Sequence, residues 1–350
     1  MELHFTYLDN EMSVVSIIVL TFNSERYIDR CLSSLIEQRW NDFEVLVVDG
    51  GSTDATREIV QKFDHRFRWL ELPGSDMGSA RNYGVRHSRG KYLMFLDSDD
   101  FYLPEKLAYQ VGEMEADASL GVHFCAAWHF RTQDPLHVGM KRLGVQPIGL
   151  KDYIAGYNHN LNAMCVRRSV WESGYAFGEG ERGRYGEEWI LQLAMARGGV
   201  TMKFDAEPLV VAELRPDSHT VWSRQWVMQE QKIAELRRVD VLLTSAQRAM
   251  IDIPEVIDGL RAKMVIAMLL DGRKAQARAA LTEIEQPKRR FLSQSLVLSS
   301  WLVPVRLLSW LLRTVWLWKQ NKSFVWIPTQ ANILRQIRGA TAGMGTTNNG

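Results

Sequence analysis

Cysteine is scarce, with Cys31, Cys125 and Cys165 the only three among 350 residues. They are odd in number, far apart and in no metal-ligand spacing, which excludes a disulfide framework and a thiolate zinc site. They read as reduced, buried thiols of a cytoplasmic protein. No charge-free apolar run reaches the roughly 18 residues of a membrane-spanning helix. Met1–Met12 carries acids and no long apolar core, so no signal peptide is expected; these residues read as dispensable and Met12 as an alternative start. No G-x-G-x-x-G follows the first strand and no G-x-x-x-x-G-K-[ST] occurs, which argues against dinucleotide and P-loop sites. The Gly-rich loop a nucleotidyltransferase needs near its N-terminus is missing too. Acidic residues also run out: none follows Glu285, while nine lysines and arginines do.

That last absence splits the chain electrically. The final 65 residues carry +9 and residues 1–285 carry −8, beneath a net charge of +1. A body and a tail with different partners are implied. With 46% hydrophobic and 24% charged residues, the body has material for a sizeable core.

Over the first hundred residues strand and helix signals alternate. Val14–Leu20, Phe43–Val48, the weaker Trp69–Leu72 and Lys91–Leu96 read as strands. Between them, Tyr27, Ile28, Cys31, Leu32, Leu35 and Ile36 recur at a helical period, and Ser52 or Thr53 is the expected cap of a helix through Ile59, Val60 and Phe63. A Gly-rich helix start lies at Gly78–Asn82. Such alternation predicts an α/β fold with a mostly parallel sheet and flanking helices. Ligands then bind at the carboxyl ends of the strands. Residues 122–130 read as a further strand and 131–186 resist assignment. Glu187–Arg197 reads as a helix with Ile190, Leu191, Ala194 and Met195 on one face, and Trp226–Glu285 is almost wholly helical.

The strand through Leu96 ends directly in Asp97-Ser98-Asp99-Asp100. If the chain stays extended, Asp97 and Asp99 point the same way. Paired carboxylates are poor core material but good ligands for a hard divalent cation, which often bridges to phosphate. Taken alone, the cluster could equally cap the next helix.

Four motifs occur in order: Ser16-Ile-Ile-Val-Leu-Thr-Phe-Asn23, Val47-Val-Asp-Gly-Gly-Ser-Thr-Asp54, Gly78-Ser-Ala-Arg-Asn-Tyr-Gly84 and Phe95-Leu-Asp-Ser-Asp-Asp100. Cys165–Val170, Gly174–Glu179 and Tyr185-Gly-Glu-Glu-Trp189 continue the set. Over about the first 220 residues the chain resembles the family 2 glycosyltransferases with a GT-A fold. The resemblance implies inverting transfer of a sugar from a nucleotide-diphosphate donor, UDP favoured, to a hydroxyl of a saccharide or lipid-linked acceptor. It implies Asp99 holding Mg²⁺ or Mn²⁺, with Asp97 reaching the ribose or supporting the metal. Thr21, Asn23, Asp49, Arg81, Asp97 and Ser98 form the implied donor-binding set, Asp49 accepting from the base. Arg81 stands where a cation meets base or phosphates, or pairs with a carboxylate. Glu188 is the implied general base, although the family pattern has Asp there, and Glu187 shares the role or holds an acceptor hydroxyl. Both acids could also be a solvated helix start. His219 is a metal ligand or a loop histidine. Leu20 and Gly50 are lesser departures, where Pro and a second Asp are common.

Ser295–Trp318 is apolar and Trp-rich but interrupted by Arg306 and Arg313. From Pro304 onward Arg306, Ser309 and Arg313 fall on one side and Leu307, Leu308, Leu311 and Leu312 on another. Such a helix suits an anionic membrane surface; packing on the protein, or dimer formation, is the alternative. The expected organisation is a catalytic domain over 13–225, a helical extension over 226–287, a basic amphipathic helical tail over 288–339 and disorder over 340–350. The setting implied is surface polysaccharide synthesis on the inner face of the cell membrane, with no nucleic-acid partner. A nucleotide-sugar-binding protein or membrane-associated scaffold without transferase activity is the rival reading.

Overall fold

The computed structural model describes residues 15–141, 149–180, 186–215, 225–286, 324–329 and 333–334. From the N-terminus, β1 (Val15–Thr21), α1 (Ile28–Ile36), β2 (Phe43–Asp49), α2 (Thr56–Val60), β3 (Phe67–Glu71), α3 (Met77–Arg86) and β4 (Tyr92–Asp97) alternate as the periodicity predicts. Next come β5 (Phe101–Tyr102), α4 (Lys106–Ala116), β6 (Val122–Arg131) and β7 (Asp134–Lys141). The stretch that resisted assignment holds α5 (Leu150–Ile154), a 3-10 turn (Leu161–Ala163), β8 (Met164–Arg167) and α6 (Arg168–Glu172). Then follow α7 (Glu187–Arg197), β9 (Met202–Leu214), α8 (Gln225–Leu242), α9 (Ser245–Ala249), α10 (Ile253–Leu270), α11 (Lys274–Thr282) and β10 (Phe324–Pro328).

The strands form one mixed sheet in the order β10-β7-β6-β8-β4-β1-β2-β3, with β9 beside β6 and β5 beside β9. The pairs β3-β2-β1-β4 are parallel, and β8 and β7 run against their neighbours. Both faces are covered, as the continuous apolar strands require. Ile17, Val19, Val45, Val47 and Met94 pack under α1, α2 and α4 through Leu32, Leu35, Val60 and Leu107. Ile18, Val48, Leu93 and Phe95 face the other way, toward Ala80 and Val85 of α3 and Leu191 and Met195 of α7. Gly84 lets α3 approach β1, because a Cβ there would stand 2.6 Å from Ile18 Cγ2.

Three local expectations change. The single apolar face read for α7 is two faces. Leu191 and Met195 enter the sheet core, while Trp189, Ile190 and Leu193 enter a second core with α5, α8, α10 and α11. That helix therefore seats the helical extension on the sheet. Neither Ser52 nor Thr53 caps α2: Asp54 Oδ1 accepts the Thr56 N–H at 3.1 Å, and Ser52 is used elsewhere. Within the stretch expected as helical tail, Phe324–Pro328 is a strand paired antiparallel with β7. A run of Phe, Val, Trp and Ile suits a pleated edge better than a helix. Residues 1–14, 287–323 and 340–350, and with them the alternative start and most of the tail, lie outside the described residues.

Candidate active site

β1, β2 and β4 end level, with Thr21 opposite Asp49 and Leu20 opposite Asp97. The expected donor residues are thus brought to one edge of the sheet. Asp49 is buried, and its carboxylate is largely used by its own turn. Oδ2 accepts the Gly51 and Ser52 N–H groups, both at 2.9 Å, and Oδ1 accepts the Ser52 hydroxyl. Asn23 holds a left-handed φ of 47°, which Asn tolerates. Its Oδ1 accepts the Thr53 N–H at 2.9 Å and its own N–H donates to Ser52 Oγ at 2.8 Å. Asn23 therefore ties the two loops together and leaves Phe22, 61% exposed, at their rim. Ser98 shares a 2.8 Å hydrogen bond with Ser24. The Thr21 hydroxyl is buried with no partner among the described residues, an orphaned polar atom at the strand ends.

Asp97 and Asp99 do not point the same way. The strand stops at Asp97 and the chain turns, the Asp100 N–H closing on the Asp97 carbonyl at 3.0 Å. Asp97 Oδ1 meets Arg81 Nη2 at 2.9 Å, whereas Asp99 Oδ2 meets Arg215 Nη2 at 3.1 Å. Burial, and then the like charge of Asp97, push the Asp99 carboxyl up to about 6 against the pull of Arg215. Asp100 is buried, and burial followed by Asp99 and Asp97 raises its carboxyl well above the ordinary range. It accepts the Glu213 N–H and the Asn162 amide, and Asn162 in turn accepts the Asp97 N–H at 3.1 Å. The buried Arg30 binds the Asp99 carbonyl at 2.6 Å and the Glu213 carboxylate at 2.8 Å. The acidic turn is thereby fixed from both sides.

Gly186, at φ 72°, precedes α7 and turns the chain so that two acids open the helix. They separate sharply. Glu187 is buried and bonded to Arg81 Nη1, so Arg81 bridges Glu187 and Asp97 beneath the site. The Phe177 ring lies 5.4 Å from that guanidinium. Glu188 instead lines a cavity of ≈ 260 Å³ with Asp97, Asp100, Asn158, His159 and Asn162. Burial first, then Glu187 and Asp97, push its carboxyl up to about 7, against Arg81 and Lys232. Such a value suits proton uptake near neutrality. His219 lies outside the described residues. Arg215, Asn158 and Asn162 carried no motif signal, because their partners are distant in the chain.

Oxygen-donor chemistry at Asp97 and Asp99, with like charges crowding each other, fits a hard divalent cation. A second group, Glu113, His123 and Asp205, has metal-ligand atoms within 4.8 Å of one another but includes none of the expected residues. There Gln110 donates to His123 Nδ1, leaving the proton on Nε2, which donates to Asp205 at 2.9 Å. Lys203 already supplies the counter-charge to Glu113 and Asp205. That group is a closed polar network.

Residues 16–173 match the family model described as Glycosyl transferase family 2. Over that stretch the chain is similar to the family 2 glycosyltransferases. A chondroitin synthase of Escherichia coli is 40% identical over 110 residues, covering 31% of this chain and 16% of that protein. The chain spans only about a sixth to a quarter of the length of the curated relatives it matches first. Among solved structures, S. aureus TarS residues 1–349 in complex with UDP-GlcNAc superposes with TM-score 0.55 at 18% identity, over 86% of this chain and 91% of that one. The mannosyltransferase PcManGT from Pyrobaculum calidifontis, in complex with GDP-Man and Mn²⁺, gives TM-score 0.52 at 16% identity, over 94% and 86%. The fold is of the GT-A type.

Proposed function

We propose that the protein transfers a sugar, with inversion, from a nucleotide-diphosphate donor to a hydroxyl of a saccharide or lipid-linked acceptor. The observation that carries this reading is Glu188, a carboxyl poised near neutrality on a cavity wall shared with the strand-end acids. Glu188 takes the acceptor hydroxyl's proton as that oxygen attacks the anomeric carbon. The bond from that carbon to the diphosphate oxygen breaks, and the nucleotide diphosphate leaves with the electron pair. Thr21, Asp49 and the exposed Phe22 serve the nucleoside. UDP is the favoured nucleotide, in line with the fold shared with a UDP-GlcNAc complex.

Asp99, with Asp97, would hold Mg²⁺ or Mn²⁺, which would neutralise charge on the leaving diphosphate. The Mn²⁺ complex of a similar fold supports that choice. Full-length protein is expected to gain thermal stability with UDP only when Mn²⁺ or Mg²⁺ is added, and Asp99→Ala to lose that metal-dependent increment. An increment that survives in Asp99→Ala would remove Asp99 from the metal site. Binding without turnover across a broad acceptor panel would leave a sugar-nucleotide-binding protein.

The similarity to a polysaccharide synthase and the +9 tail support work on surface polysaccharide at the inner face of the membrane. Among the described residues no helix is long and apolar enough to cross a membrane. Removing residues 288–350 is expected to release the protein from anionic vesicles in a sedimentation assay. Equal pelleting of both forms would exclude the tail as anchor.

A further inference from the structure

We infer that Asn158 is the positioning residue of Glu188 and that Gln192 sets its register, an inference that rests on the transfer reading above. Asn158 Nδ2 donates to Glu188 Oε1 at 2.8 Å, and both side chains line the cavity. A Glu carries one more rotatable bond than an Asp, and its carboxylate must be held to serve as a base at hydrogen-bond reach. The amide occupies one oxygen and leaves Oε2 for the acceptor hydroxyl.

The donor is mounted on the same helix as the base. The residue after Asn158, His159, is clamped through both backbone groups: its N–H donates to Gln192 Oε1 at 2.9 Å and its carbonyl accepts from Gln192 Nε2 at 3.0 Å. Gln192 is fully buried on α7 and stands four residues after Glu188, on the same side of the helix. The His159 ring stacks between Phe124 and Phe204 at 4.1 and 5.2 Å, which holds the segment from either side. Base and positioner therefore move as one body. Electrically, Glu188 faces Glu187 on its own helix, Arg81 on α3, Asp97 on β4 and Lys232 on α8. An amide hydrogen bond to the carboxylate favours its charged form, so removing it shifts proton uptake to higher pH.

The test uses Asn158→Leu in the full chain. At pH 7, kcat should fall about tenfold with donor KM little changed, and the acid limb of the rate profile should move up by about half a pH unit or more. In a Glu188→Asp background, whose shorter side chain falls short of Asn158, the same substitution should add little, a non-additivity expected only of partners. An infrared carboxyl band that Glu188→Gln abolishes reports the same protonation in free protein, and its midpoint should rise in Asn158→Leu. The isosteric Asn158→Asp, which keeps the volume if Leu is not tolerated, should raise it further. An unchanged midpoint in a folded variant overturns the inference. A shifted midpoint in a protein that never turns over overturns the transfer reading and leaves the hydrogen bond in place.

Discussion

Glu188→Gln is expected to keep donor binding and lose transfer about 10²–10⁴-fold, the range a positioned general base contributes. The substitution preserves shape and the Asn158 contact but removes the lone pair that takes the proton. Its sign against pH follows from the same environment. The carboxyl is pushed up to about 7 in the free protein, so wild-type kcat/KM should be level above that value and fall roughly tenfold per pH unit below it as the base is protonated. Steady-state rates between pH 5 and 9, with donor affinity measured by calorimetry in parallel, check both parts. Full activity in Glu188→Gln would remove this residue as base. Glu187 is the poorer candidate, because its carboxylate is buried against Arg81 and does not line the cavity.

The largest effect on stability should come from Arg81→Met. Arg81 is buried and bridges Glu187 and Asp97. Loss of one partner leaves an uncompensated buried carboxylate at Glu187, a change worth about 3–5 kcal/mol in comparable sites. Asp97 is 41% exposed and recovers water, so the cost falls mainly on Glu187. Denaturant unfolding at pH 7 measures the loss, and a variant as stable as the wild type would show that Glu187 is not a stranded charge. Removing both charges, Arg81→Met with Glu187→Leu, should recover much of the loss, since paired ions are often replaceable by apolar groups.

Several parts of this molecule are written locally. β1, β2 and β4 are short apolar runs bounded by turn residues, and burial on both faces is the only way such runs are stable in a sheet. Thr21, Asp49 and Asp97 close those runs, so their convergence follows from parallel pairing. The division of labour between the adjacent acids Glu187 and Glu188 was not legible, because one helical step of about 100° sends neighbours in different directions. Only packing shows which direction holds Arg81 and which holds the cavity. Asp97 and Asp99 diverge for a related reason: local alternation holds while the strand lasts, and the strand ends between them.

The chain's motifs, read in order, determined the parallel part of the sheet, the edge where the strand-end residues meet and the resemblance to a family, because hydrophobic period and strand-end chemistry are properties of neighbouring residues. Tertiary structure alone decided who meets whom: Arg81 with Glu187, Arg215 with Asp99, Asn162 between Asp97 and Asp100, and Asn158 with Glu188. These partners lie tens of residues apart, and no local preference encodes a contact that exists only once the sheet has folded and α7 has docked on it.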